Sequence, residues 1–245
     1  MVNNYDQPEI ILVNTQIPEN LGFVARCMLN CKLKKLRVVN PNFSLLNEKI
    51  LPLSAGASEV IDSIKNFDNL EDAIKDFNFL IACTARKRAF ENITCDPEEA
   101  IKETKIKITC SNKVGFIFGP ESSGLSNKHL SMVDRILTIN SNLEFPSINL
   151  SHCVMIVCYE WLKLNNKKII GVSKKKKIMV KKEKLLFFYN HLEESLRVRG
   201  FMKTKPRETA IINKIRSIFN RIDLTENEVD TLTGIISSLS RKKIK

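Results

Sequence analysis

Four short segments carry the residue types from which chemistry could be built. Pro18-Glu-Asn-Leu-Gly-Phe-Val-Ala-Arg26 offers Asn20 and Arg26, and Thr84-Ala-Arg-Lys-Arg88 offers Thr84, Arg86 and Arg88. Gly119-Pro-Glu-Ser-Ser-Gly-Leu125 holds Glu121 between two glycines, and Phe145-Pro-Ser-Ile-Asn-Leu-Ser-His152 places Ser147, Asn149 and Ser151 ahead of an apolar run. Glycine and proline mark tight bends or a close approach of backbone. Small polar side chains at a helix mouth stand beside unpaired N–H groups. A site made of such parts presents amides, carbonyls and short side chains. It suits a neutral or cationic nucleoside-like ligand better than a metal. The arginines could grip phosphates bidentately or polarise an oxygen. Each residue also has a plain structural reading. Arg26 could sit on a helix surface, Arg86 and Arg88 in a solvated loop, Glu121 on a helix cap, and Ser147 and Asn149 at an N-cap.

The elements that must position these segments follow from apolar patterning. Short apolar runs of buried-strand type lie at residues 9–14, 37–40, 79–84, 114–118 and 135–140. A turn over residues 15–22 precedes a helix pattern at 23–30, and further helices are expected at 70–77, 97–104 and 153–164. Strand–helix–strand alternation predicts an α/β fold, a mostly parallel sheet with helices on both faces. In such sheets ligands bind outside the C-terminal ends of the strands, where Thr84, Arg86 and Arg88 fall. Three amphipathic patterns at 184–199, 207–221 and 225–239 predict a small all-α domain. The expected organisation is residues 1–165, a basic linker 166–182 that stays loose through like-charge repulsion, and a helical domain 183–245.

Composition narrows the partners. The net charge of +12 is uneven: residues 1–165 hold 18 Lys+Arg against 19 Asp+Glu, and residues 166–245 hold 21 against 8. Such asymmetry points to a polyanion, nucleic acid first and an anionic membrane second. The competing reading is a solvated basic tail. Seven cysteines without a Cys-x-x-Cys pair support neither a disulfide framework nor a zinc site, and reduced thiols fit a cytoplasm. No apolar run is long enough to span a membrane, and the N-terminus lacks a signal-peptide layout. There is no Gly-x-Gly-x-x-Gly or phosphate-loop motif. His129, His152 and His191 are scattered. From the residues alone the reading is an α/β ligand-binding domain plus a basic helical domain acting on nucleic acid.

Taken together, residues 18–26, 118–125 and 146–152 resemble the three signature motifs of the SpoU/TrmH group of SPOUT methyltransferases. Ala55-Gly-Ala-Ser-Glu-Val60, Thr84–Arg88, Phe188-Tyr-Asn-His-Leu-Glu193 and Asn213-Lys-Ile-Arg216 resemble the TrmJ branch. The resemblance covers nearly the whole chain. It implies an S-adenosyl-L-methionine (SAM)-dependent tRNA ribose 2′-O-methyltransferase acting on cytidine or uridine at anticodon-loop nucleotide 32. It also implies a trefoil knot closing the first domain, with residues 151–164 as the knot helix, and a homodimer through the knotted domains. Carried over by motif, the cofactor site comprises Cys83, Thr84, Ala85, Gly119, Glu121, Ile139, Pro146, Ser147 and Ile148. Arg26, Ser147 and Asn149 are expected at the reacting ribose, and Asn20, Arg26, Arg86 and Arg88 at the RNA. No metal is implied. The implied reaction is an in-line displacement of the sulfonium by the ribose oxygen, largely a matter of alignment. An arginine is a poor base, so Arg26 is expected to stay charged while Ser147 or an RNA phosphate passes on the proton. Glu19 and Pro120 depart from the common pattern, as does the lysine-rich linker. The rival readings are the same reaction on ribosomal RNA or another tRNA position, and a non-catalytic RNA-binding module.

Overall fold

The computed structural model describes residues 6–85, 93–166, 177–202 and 205–240. Seven parallel strands form one sheet: β1 (Glu9–Val13), β2 (Leu36–Val39), β3 (Lys65–Phe67), β4 (Phe79–Cys83), β5 (Ile93–Cys95), β6 (Val114–Phe118) and β7 (Arg135–Leu137). Their spatial order is β3-β2-β1-β6-β4-β7-β5. The β1, β4 and β6 strands are almost fully buried, which is why they read as continuous apolar runs. The three-residue edge strands β3 and β5 are too short to show such a run.

Alternate strand residues face opposite ways and so divide the core in two. Ile10, Leu12, Val38, Ile81 and Phe116 pack against α1 (Pro18–Asn30), α2 (Ile50–Ser54), α3 (Ser58–Asp62), α5 (Pro97–Thr109) and α7 (Leu150–Asn166). Ile11, Val13, Leu80, Ala82 and Ile117 pack against α4 (Leu70–Ile74) and α6 (Asn127–Leu130). The sheet is thus covered on both faces, as expected.

The expected turn at 15–22 gives way to helix from Pro18 onward. Proline at the first position loses no needed hydrogen bond there, so it starts the helix rather than bending the chain. Gly22 therefore lies inside α1. A Cβ there would sit 2.5 Å from the Ile50 carbonyl oxygen, so glycine lets α1 and α2 meet. The small residues Ala55, Gly56 and Ala57 form the joint between α2 and α3.

Helices α8 (Lys182–Val198), α9 (Lys205–Asn220) and α10 (Glu226–Ser240) form the expected helical unit. Its core holds Leu185, Phe188, Tyr189, Leu224 and Val229. Glu193 of α8 accepts from Arg216 Nε of α9 at 2.7 Å, and the same guanidinium lies over the Tyr189 ring at 5.4 Å. The two C-terminal signature segments therefore meet as structure inside this domain.

The expectation of a loose linker fails at its C-terminal end. Met179 and Val180 are buried, and the Asn78 amide donates to the Met179 carbonyl at 2.7 Å. The Met179 amide donates to Asn112 Oδ1, also at 2.7 Å. Apolar burial at 179–180 outweighs repulsion among the neighbouring lysines. Residues 167–176, the rest of the expected linker, lie outside the described residues.

Candidate functional site

Three chain segments emerge at the C-terminal ends of β4, β6 and β7 and enclose one cavity of about 270 Å³. Its wall includes Cys83, Thr84 and Ala85 after β4, Gly119 and Glu121 after β6, and Ile139, Pro146, Ser147 and Ile148 after β7. All nine residues expected at the cofactor therefore share one space. Phe118, Pro120, Ser122, Gly124, Leu150 and Cys153 line it too. These six were missed because they lie between motif residues or, for Cys153, one turn into α7.

The loop after β6 is held tightly curled. A Cβ on Gly119 would stand 2.5 Å from the Leu125 amide nitrogen, so no larger residue fits without opening the turn. The chain after β7 leaves the sheet at Thr138 rather than Asn140, which frees Ile139 to reach the cavity wall. The expected strand to residue 140 is shorter for that reason.

Glu121 is the hinge of the arrangement. Its Oε1 accepts from Thr15 Oγ1 at 3.1 Å and from Asn20 Nδ2 at 2.7 Å, and its Oε2 accepts from the Gln16 amide at 2.9 Å. The carboxylate therefore pins the loop after β6 to the N-terminal turn of α1, where the helix dipole also favours a negative charge. Thr15 and Gln16 were not singled out in the sequence, although they directly precede the first motif. The expected reading of Glu121 as a cap on the helix after it is replaced, because α6 is capped by Ser126.

Asn20 continues the chain of contacts. Its Oδ1 accepts from Asn149 Nδ2 at 3.0 Å, while Asn149 Oδ1 accepts from the Ser151 amide at 2.8 Å and from the Ser151 hydroxyl at 2.7 Å. Asn149 thus caps α7 and ties it to α1 at once. Asn20 is only 3% exposed. Its expected place at the RNA is corrected: burial and a filled amide make it a positioning residue beneath the site.

Arg26 is exposed on α1 and does not line the cavity. The adjacent Cys27 thiol donates to the Ser151 carbonyl at 3.8 Å, which places this part of α1 beside the first turn of α7. Among the described residues Arg26 has no ion-pair or hydrogen-bond partner. Ser147 is exposed on the wall. Arg86 and Arg88 lie outside the described residues. His152 is exposed, and His129 caps α6.

The donor set determines what the cavity can take. Among its described lining residues the one charged side chain is Glu121, whose oxygens are already engaged. The other described lining residues supply apolar surface, backbone, hydroxyls and the thiols of Cys83 and Cys153. That suits an aromatic heterocycle with a small positive centre, and among the described residues it offers no clamp for a polyphosphate. Among the described residues no cluster of three or more His, Cys, Asp or Glu could hold a metal. No helix among them is long and apolar enough to cross a membrane.

A family model described as the SpoU rRNA Methylase family matches residues 7–159, and one described as tRNA methyltransferase TrmJ, C-terminal domain, matches residues 183–245. The tRNA (cytidine/uridine/adenosine-2′-O-)-methyltransferase TrmJ of Pseudomonas aeruginosa is 29% identical over 96% of this chain and 95% of its own length. The tRNA (cytidine/uridine-2′-O-)-methyltransferase TrmJ of Sodalis glossinidius is 30% identical over 94% of this chain and 90% of its own. The crystal structure of TrmJ from Z. mobilis ZM4 matches with a TM-score of 0.87 at 31% identity, covering 96% of this chain and all 100% of that one. With the cavity at the strand ends and the helical unit behind it, this chain belongs to the SpoU methylase family, as a TrmJ-type RNA methyltransferase.

Proposed function

We propose that the protein methylates the 2′-hydroxyl of a tRNA ribose in the anticodon loop, at nucleotide 32, on cytidine or uridine. The observation that carries this reading is the convergence of all nine motif-derived residues on one cavity, with Arg26, which has no ion-pair or hydrogen-bond partner among the described residues, exposed beside the α7 mouth. SAM is the cofactor of this reaction, and when bound it supplies an electrophilic methyl on sulfonium. Backbone of residues 83–85, 119 and 146–148 would hold its adenosine and methionine parts. Arg26 grips a phosphate neighbouring the target ribose and stabilises charge developing on the ribose oxygen, and Ser147 or an RNA phosphate passes on the hydroxyl proton. Asn20, Asn149 and Glu121 keep α1 and α7 in register, so that alignment is built in before the RNA arrives. Arg86 and Arg88 are read as RNA contacts. The chain is read as threading a trefoil knot between β6 and α7 and as pairing with a second copy through that region, in a cytoplasm where tRNA is found.

The test is to incubate the protein with methyl-labelled SAM and separate pools of bulk tRNA and ribosomal RNA, then map the product. Label at the 2′-oxygen of tRNA nucleotide 32 is expected. Label confined to ribosomal RNA, or to another tRNA position, overturns the substrate assignment. Absence of any transfer, with no SAM binding at high protein concentration, returns the non-catalytic reading.

A further inference from the structure

We infer that Cys83 and Cys153 are a paired-thiol modification site in the wall of the cavity, one that peroxide-class oxidants close into a disulfide. Cys83 ends β4 and Cys153 lies in the first turns of α7, far apart in sequence, yet both line the same space. Both pack against the same side of the core, and Cys153 Sγ also donates to the Ile148 carbonyl at 3.7 Å. Neither thiol has a role in the reaction proposed above.

The two side chains line one wall of the cavity and stand close enough for each to act on the other's charge, and the pair divides its chemistry. The hydrogen bond to Cys153, with burial, pushes the Cys83 thiol up. The hydrogen bond from Cys83 outweighs burial and holds Cys153 below its ordinary value. Cys153 is also near the N-terminal end of a helix, which favours a thiolate. Its place in the first turns of α7 makes Cys153 the attacking sulfur and Cys83, at the end of β4, the resolving one. The Cys153 thiolate attacks one peroxide oxygen, the O–O bond breaks, and the leaving hydroxide takes up a proton to become water. Cys83 sulfur then attacks the Cys153 sulfenic sulfur, the S–O bond breaks, and the second oxygen leaves as water with the Cys83 proton. Two thiols are oxidised by two electrons and one hydrogen peroxide is reduced to two waters.

A bond between β4 and α7 would draw in the cavity wall and exclude a nucleoside. That consequence rests on the cofactor reading above, whereas the chemistry of the thiols does not. The test is to treat the full reduced chain with hydrogen peroxide, count thiols, map peptides without reductant and titrate SAM. Expected are loss of two thiols of the seven, a Cys83–Cys153 peptide and a fall of about tenfold or more in SAM affinity that dithiothreitol reverses. Prior saturation with SAM should slow the cross-link. Cys153→Ser should lose no thiols under the same treatment. The wild-type peptide map decides the matter if that variant does not fold. A map showing no cross-link, or one joining Cys27, Cys31 or Cys158 instead, overturns the inference. A Cys83–Cys153 cross-link in a protein that never binds SAM upholds the thiol pair and removes the cofactor reading.

Discussion

At the scale of single residues, the site separates groups that touch ligand from groups that hold them in place. Arg26 lies outside the cavity, so its loss should act on the reaction and not on the cofactor. Arg26→Ala is expected to slow methyl transfer on the order of a hundredfold or more, with SAM affinity unchanged by calorimetry. Arg26→Lys keeps the charge but not the fork. Turnover close to the parent for that variant would remove the bidentate role. Gly119→Ala forces a Cβ to within 2.5 Å of the Leu125 nitrogen. It should weaken SAM binding while RNA affinity persists. A third residue, Asp76, sets an acid limit far from the site. Burial pushes its carboxyl up, but hydrogen bonds and charge from Arg37 and Lys113 win and hold it at about 2, against an ordinary 3.8. Ionised Asp76 therefore contributes stability that is fully present above pH 3.8 and is lost as pH falls through about 2. In urea titrations over that window, Asp76→Asn should flatten the acid limb.

At the scale of elements, Glu121 joins three pieces that the sheet alone would leave independent. The loop after β6, the start of α1 and, through Asn20 and Asn149, the mouth of α7 share one hydrogen-bond chain. Glu121→Ala leaves Thr15, Gln16 and Asn20 donors unmet. About 1–3 kcal/mol of stability should go for each donor left buried and unpaired, read by chemical denaturation. Glu121→Gln keeps an acceptor and should recover part of it. The motif spacing made this cluster visible as a set of polar residues at loop ends. It did not reveal the bond partners. Thr15 and Gln16 look like ordinary loop residues until α1 starts at Pro18 and turns Asn20 inward.

At the scale of the molecule, the helical domain docks at the N-terminal ends of the strands. The Lys182 amide donates to the Phe77 carbonyl, and its ammonium pairs with Asp134 at 2.7 Å with both side chains buried. Asp134 also accepts from the Leu80 amide, and Lys107 pairs with Asp223. The cavity opens at the other end of the same strands, a five-residue strand or about 17 Å away. The docking is therefore part of the fold of the first domain. A chain cut at Asn165 should lose stability as well as RNA, so truncation is a poor test of the basic charge. Lys182→Met, which strands Asp134, should cost about 3–5 kcal/mol, measured by urea unfolding. The charge argument is better tested at exposed cations with no ion pair among the described residues, such as Lys181 and Lys214. Each that contacts phosphate should lower the slope of log affinity against log salt by about one when replaced by alanine.

The sequence by itself determined the layering of the sheet, because buried parallel strands must be apolar on both faces, and it determined the helical tail, because amphipathic periods survive without context. Residue type alone pointed to the turns at Gly119 and Pro146, whereas Cys83, Ala85, Ile139 and Ile148 were placed at the cavity only by the motif resemblance, because apolar residues at strand ends carry no signal of their own. Only the tertiary structure decided that Asn20 is buried, that Cys83 and Cys153 line one cavity, and that Met179, Val180 and Lys182 are buried in the fold rather than solvated in a linker. Those outcomes depend on which surfaces face each other across long stretches of chain. Local propensity and charge runs do not encode that, because burial of Met179 and Lys182 becomes favourable only once Phe77, Asn112 and Asp134 stand opposite.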